Sequence, residues 1–267
     1  MNMYLHELKS LRKSVCIWAC VLIALAAIFL SVYPGMANDA ADFKKLIANY
    51  PAPVRAMLGI NLDYITSILG FYSMIFSFIV LCGAIQAMNL GVSILSKESR
   101  ERTADFLLVK PVSRCAIVTA KLMAAFTAIL ATDLLFFAAT TLMANAVKTA
   151  DFDGKLFFMI NLTMFFLQLI FLALGLAVSV FFKKLKSVLP ISLGVVIGLY
   201  MIGTLISIGK DEDAVRFLSP FKYFDVTYII KNAGYETPYL IASAAIIIIS
   251  IVTAYIIYIK KDIHAVS

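Results

Sequence analysis

Charge is what this sequence lacks over most of its length. Its 267 residues include 23 basic and 16 acidic side chains. Yet residues 14–38, 64–96, 156–182, 187–209 and 237–259 carry no charge, and 122–147 carry only Asp133. A soluble domain scatters charge through its helices every turn or two, so that class is excluded. Histidine is nearly absent: His6 and His264 lie near the two ends. No H-E-x-x-H or G-x-S-x-G motif occurs, and no apolar run holds paired acids, so a membrane-embedded enzyme would lack its catalytic constellation. No G-x-x-x-x-G-K-[S/T] loop is present to cradle nucleotide phosphates. The four cysteines, Cys16, Cys20, Cys82 and Cys115, sit in or beside apolar runs and imply no disulfide framework. Cys16 and Cys20, one helical turn apart, read as small packing residues, and no metal site is expected.

What is there is apolar: 62% of the residues are hydrophobic. A helix needs ~20 apolar residues to cross the ~30 Å hydrocarbon core. The runs are long and apolar on all faces, unlike the ~10-residue alternating segments of an outer-membrane barrel. They predict an all-α polytopic membrane protein with six transmembrane helices, near 15–33, 66–90, 120–144, 156–181, 188–208 and 238–259. The chain reads as a single transmembrane domain over 1–267. The first run is longer than a usual signal-peptide core and five more follow, so it reads as a retained span.

An even number of spans puts both termini on one side. That side holds Lys9, Arg12, Lys13, Lys97, Arg100, Arg102, Lys110, Arg114, Lys121, Lys183, Lys184, Lys186, Lys260 and Lys261, against the acids Glu7, Glu98, Glu101, Asp105 and Asp262. Lys/Arg excess in short loops marks the cytoplasm. Both termini are therefore expected to be cytoplasmic, in a plasma or inner membrane. The net charge of +7 then reflects loop topology and anionic lipid headgroups rather than nucleic acid.

Between the spans, residues 1–14 read as an amphipathic interfacial helix, with Tyr4, Leu8, Leu11 and Val15 on one stripe. The outer loop 34–65 predicts a short helix from Ala40 to Asn49, ended by Pro51 and Pro53. Residues 209–237 are too long for a turn and aromatic-rich, which predicts interfacial or re-entrant helices on the outer side. The cytoplasmic loop 91–119 predicts a short helix capped by Ser99, with Glu101 in its first turn and Pro111 at its end. Its apolar weight lies in Phe106, Leu107 and Leu108. It is too short to span and too apolar for a solvated linker, so it suits either docking into a partner's groove or lying on lipid.

Glu98, Thr103, Leu107, Leu108, Pro111, Val112 and Arg114, with Lys121 seven residues on, resemble the signature of ABC-2-type transporter permeases. The N-terminal interfacial helix and Ser219, Pro220 and Phe221 between the last two spans also match, and the six spans extend the resemblance over the whole chain. Many members have Gly before the Thr, where this chain has Arg102. The resemblance implies that 97–114 is a coupling helix seated on a separate ATPase, with two permease chains, identical or paralogous, and two ATPase subunits. It implies that ATP and Mg bind the partner and that no cofactor binds this chain. Phe106, Leu107 and Leu108 would fill the ATPase groove, and Arg100, Arg102 and Arg114 would pair with its acids. Burial of each apolar anchor is worth ~1.5–3 kcal/mol, against ~0–1 kcal/mol for an exposed ion pair, so affinity is assigned to the anchors. Members are mostly exporters, which sets the expected direction. The alternatives are a secondary transporter, which would usually show more ionisable or broken-helix sites within its spans, and the membrane-embedded enzyme.

Asp133 is the one charged residue inside a span. A carboxylate there costs ~2.5–3.5 kcal/mol on insertion scales, so it is expected to face protein or water. Gln168 should lie at similar depth in the fourth span, with Asn161 nearer the outside. These three read either as hydrogen bonds between spans or as a polar site on a substrate or proton route. Gly194 and Gly198 form a small-xxx-small pattern in the fifth span, suited to close helix packing within the chain or between two copies.

Overall fold

The computed structural model describes residues 3–51, 54–55, 60–101, 112–182, 185, 187–208 and 215–260. Among these described residues eight α-helices follow in order: α1 (Met3–Asn38), α2 (Ala40–Ala48), α3 (Ile68–Glu101), α4 (Arg114–Val147), α5 (Gly154–Phe181), α6 (Leu189–Ile208), α7 (Val226–Asn232) and α8 (Thr237–Lys260). Two 3-10 turns, Val215–Leu218 and Pro220–Lys222, precede α7. No strand occurs among the described residues. Six of the helices are long and apolar enough to cross a membrane: α1, α3, α4, α5, α6 and α8. The protein is an all-α polytopic membrane protein, as its charge-free runs predict.

Local chemistry sets where several helices begin. The extended backbone of Ser113 turns its side chain to accept from Ala116 N and start α4. Asp153 Oδ1 accepts from Lys155 N and Leu156 N at the head of α5. Asp225 does the same for Thr227 N at α7, which ends on Ala233 in the left-handed region at φ 48°. The short helix α2 lies where the sequence predicts it, ending before Pro51.

The helices overrun the limits that charge suggests. Helix α1 runs from Met3 to Asn38 as one element, losing only the ladder bond at Pro34, which has no N–H, so residues 3–14 are continuous with the first span and not a separate helix. Likewise α3 continues to Glu101 and α4 begins at Arg114. The expected loop 91–119 is therefore helical at both of its described ends. Ser99 lies inside α3 and does not cap a new helix. Charged residues mark where lipid ends, but Lys, Glu and Arg are good helix formers and give the ladder no reason to stop there.

The backbone core is the α3–α5 contact, where glycines meet. A methyl on Gly175 would stand 2.8 Å from Met88 O, and one on Gly91 would collide with Leu172 O. Missing side chains bring the two backbones together, the device by which small residues pack helices in membranes. Tyr72, Phe76, Phe137, Phe152 and Phe157 fill the half of the core away from the termini, with the Tyr72 and Phe157 rings 4.7 Å apart. Helix α1 packs on α4, and α8 on α5. Helices α6 and α8 bury the smallest share of their apolar windows, apart from α1, which equals α6.

Candidate functional site

Three polar constructions stand out in this apolar frame. The first lies at the end of the bundle that carries both termini. Lys121 of α4 is fully buried. Its ammonium donates to Ile94 O in the last turns of α3 at 2.6 Å and stands 3.6 Å from Glu7 of α1, also buried. Two further bonds join the same helix ends. Lys97 Nζ donates to Ser10 Oγ at 2.9 Å. Arg114 Nη1 donates to Ile259 O at 2.9 Å, so the start of α4 caps the last turn of α8. Removing one member of a buried ion pair costs ~3–5 kcal/mol, because it strands the other charge. The ends of α1, α3, α4 and α8 are thus fastened where α3 ends at Glu101 and α4 begins at Arg114.

The site residues proposed in that segment divide accordingly. Arg102, Thr103, Phe106, Leu107, Leu108 and Pro111 lie outside the described residues. Glu98 and Arg100 stand in the last turn of α3, Glu98 by its backbone alone. Arg114 is turned toward α8. Glu7 was not a candidate from the sequence. Its partner lies far along the chain, and only its place on a basic amphipathic segment hinted at a role.

The second construction surrounds Asp133. With its amide nitrogen turned to the carboxylate, Gln168 of α5 donates to both Asp133 oxygens, at 2.8 and 2.9 Å. Gln86 of α3 lies 3.3 Å from the same amide and reaches Thr132 Oγ1 at 3.1 Å. Both glutamines and Thr132 are buried. Gly83 leaves the room this needs, since a methyl there would be 3.1 Å from the side-chain amide of Gln168. The pairing of Asp133 with Gln168 is as the sequence suggests. Asn161 is not part of it: Asn161 accepts from Tyr72 OH at 2.8 Å and donates to Phe157 O. Gln86 was missed, although an amide in a charge-free run is the same kind of signal as Gln168.

The third construction is a cavity of about 680 Å³ at the opposite end of the bundle, within the size range of small-molecule sites. Its deep walls come from α3, α5 and α6, and its mouth from Arg55, residues 60–63 and residues between 216 and 227. The turns before α7 are built down onto α6. Ser219 Oγ donates to Leu199 O at 2.7 Å, possible because Gly203 has no side chain: a methyl there would be 2.8 Å from that oxygen. Phe221 then sits between Phe171 and Tyr200, with ring centroids 5.1 and 5.3 Å away. Arg216 holds the assembly to the start of α8 through two bonds to Glu236, at 2.6 and 3.2 Å, and lies over the Tyr239 ring at 4.2 Å. Partial burial works against its charge, but the Glu236 carboxylate outweighs that and raises the guanidinium pKa.

Gly194 and Gly198 face outward on α6. A methyl on either would meet nothing within 4 Å, so they do not serve packing among the described residues. Among the described residues no group of His, Cys, Asp and Glu is arranged to hold a metal ion.

A family model described as "ABC-2 family transporter protein" matches residues 1–263. No curated protein matches the chain.

Proposed function

The chain belongs to the ABC-2 family of transporter proteins, and from that premise we propose that it is the membrane permease of an ATP-driven exporter, worked through residues 97–114 by a separate ATPase. Permeases of this family are transmembrane subunits that act with ABC ATPases. The observation that supports this coupling is the fastened junction of Glu7, Lys121 and Ile94 O beside Lys97–Ser10 and Arg114–Ile259. A push on the segment joining α3 to α4 would be felt at once by four helix ends. Leu107, with Phe106 and Leu108, would fill the ATPase groove, while Glu98, Arg100, Arg102 and Arg114 set its register beside Thr103 and Pro111. ATP and Mg would sit on the ATPase, present in two copies.

A second permease chain, identical or paralogous, would complete the transporter. Support comes from α6, where Gly194 and Gly198 leave an open groove flanked by exposed Ile197, Met201 and Leu205. Small residues with free space beside them let a second backbone approach closely. Asp133, Gln168 and Gln86 act on this reading as a tie between spans and not as a route for cargo.

The test is co-purification. Leu107→Asp should abolish recovery of the cognate ATPase with the tagged full chain, while the chain itself still elutes as a single species. If the variant retains the ATPase and full coupled activity, residues 97–114 are not the coupling element. Ser99→Ala serves as the control and should keep the complex.

A further inference from the structure

The chain contains two glutamines, Gln86 and Gln168, and the fold brings both to the one acid set inside a span. Their contacts close a ring through three helices. One end of the Gln168 amide lies 2.8 and 2.9 Å from the two Asp133 oxygens. Its other end lies 3.3 Å from the Gln86 amide. The far end of that amide lies 3.1 Å from Thr132 Oγ1. Thr132 stands beside Asp133 on α4, with its hydroxyl 3.0 Å from Ala128 O. A side-chain amide has one accepting end and one donating end, and a hydroxyl has one proton to give. The direction of each bond therefore fixes the direction of the next.

Two directions satisfy the whole ring. With Asp133 ionised, Gln168 donates to it and turns its oxygen to Gln86. Gln86 must then present N–H to Gln168, and its own oxygen accepts from Thr132, whose proton leaves Ala128 O. With Asp133 protonated, every bond runs the other way. The acid donates to the Gln168 oxygen, Gln168 to Gln86, Gln86 to Thr132, and Thr132 to Ala128 O. Because both Asp133 oxygens face the same amide end, any mixed direction sets two oxygens or two donors face to face. Such a mismatch is costly where water is excluded. Only Asp133 changes its proton count; its three partners only turn.

No charged side chain competes for this role. The parts of α1, α3, α5 and α8 in the charge-free runs 14–38, 64–96, 156–182 and 237–259 pack around α4. The titratable groups on them are thiols and phenols. Cys16 and Cys20 of α1 are exposed, and Cys82 lies one turn from Gln86 on α3. Tyr33 of α1 bonds Thr149, and Tyr72 of α3 bonds Asn161. Tyr239, Tyr255 and Tyr258 stand near the ends of α8, and α5 has neither a thiol nor a phenol. A carboxyl among such neighbours is neutralised by a proton or by nothing, and intramembrane acids of this kind serve as proton sites.

We infer that Asp133 is a proton-binding site, and that loading it reverses the donor-to-acceptor direction of the ring through Gln168, Gln86 and Thr132. The tie between α3, α4 and α5 holds in both directions, so a proton is taken up or released without parting the helices. The inference does not rest on the ATPase reading, since it is measured on the full chain alone.

The experiment labels the side-chain amide nitrogen of glutamine with 15N in the full chain in nanodiscs. Only Gln86 and Gln168 then give side-chain signals. Solid-state NMR follows both from pH 4 to pH 10, while infrared spectra follow the protonated carboxyl band. Both resonances should shift with one common midpoint, at which a carboxyl band that Asp133→Asn lacks also disappears. In Asp133→Asn, whose amide donates to Gln168 as the acid does, both resonances should hold the acidic position throughout. If that variant is not recovered, the common midpoint of the two resonances and the band decides. Resonances that stay fixed across the range in the wild type would overturn the proton site. A shift of Gln168 with Gln86 unmoved would overturn the reversal. Shifts that persist in Asp133→Asn would assign the titration to another group, Cys82 first, and overturn both. None of these results bears on ATPase docking.

Discussion

Asp133 places a carboxyl in an apolar span by having its oxygens met from another helix. The two bonds from Gln168 replace the water that lipid cannot supply. An amide at position 133 can keep one of these bonds, and a leucine can keep none. We expect Asp133→Asn to unfold within a few degrees of the wild type in detergent. Asp133→Leu should lose ~1–3 kcal/mol, the cost of leaving buried polar groups unmatched. Equal loss in both variants would show that the charge itself is required. This residue and Gln168 were legible in the sequence because a polar group in a charge-free run has few explanations. The Glu7–Lys121 pair was not. Both residues sit among other charges near the ends of spans, and only folding shows that these two leave water.

At the scale of elements, the existence of the six long helices could be read directly and their ends could not. Apolar runs report where lipid is, because that is what excludes charge. The ladder of backbone bonds answers to propensity and caps, so α1, α3 and α4 continue into charged sequence until a capping residue or an end of the ladder intervenes. The α3–α5 contact was equally hidden. Gly91 and Gly175 are two of 12 glycines, and only their meeting distinguishes them from Gly194 and Gly198, which touch nothing. Gly175→Val would drive side-chain atoms into Met88 O and force α3 and α5 apart. The expected result is a chain that inserts but elutes as aggregate from a sizing column. Gly194→Val should elute like the wild type unless copies pair there. The cavity depends on the same contacts at a different level: α3 and α5 supply two of its walls, and Gly203 admits the turn that closes its mouth. Ser219, Pro220 and Phe221 could be singled out from sequence by resemblance, but their role in roofing a cavity needed the third dimension.

For the whole molecule, the second permease chain we propose requires a face on which to sit. Helices α6 and α8 both expose apolar stripes. That of α8 is crowded with Ile248, Ile249, Val252 and Ile256, which hold a neighbour at a distance. Of these two helices, only α6 combines exposure with glycines that have open space. Leu205, 68% exposed on that stripe, should therefore form a cross-linked dimer when changed to cysteine and treated with a short bismaleimide in native membranes. The four native cysteines would be replaced first by serine or alanine. Val252→Cys on α8 should remain a single chain. The reverse pattern would move the seam to α8.

The unbroken ladder of α3 has one mechanical consequence. At 1.5 Å per residue its 34 residues make a rod of about 51 Å, longer than the ~30 Å hydrocarbon core. No joint separates the part that protrudes from the part that lines the cavity through Ser73, Phe76, Ser77 and Val80. A tilt imposed at the Glu101 tip therefore swings those four side chains in the same stroke, as the short arm of a lever answers the long one.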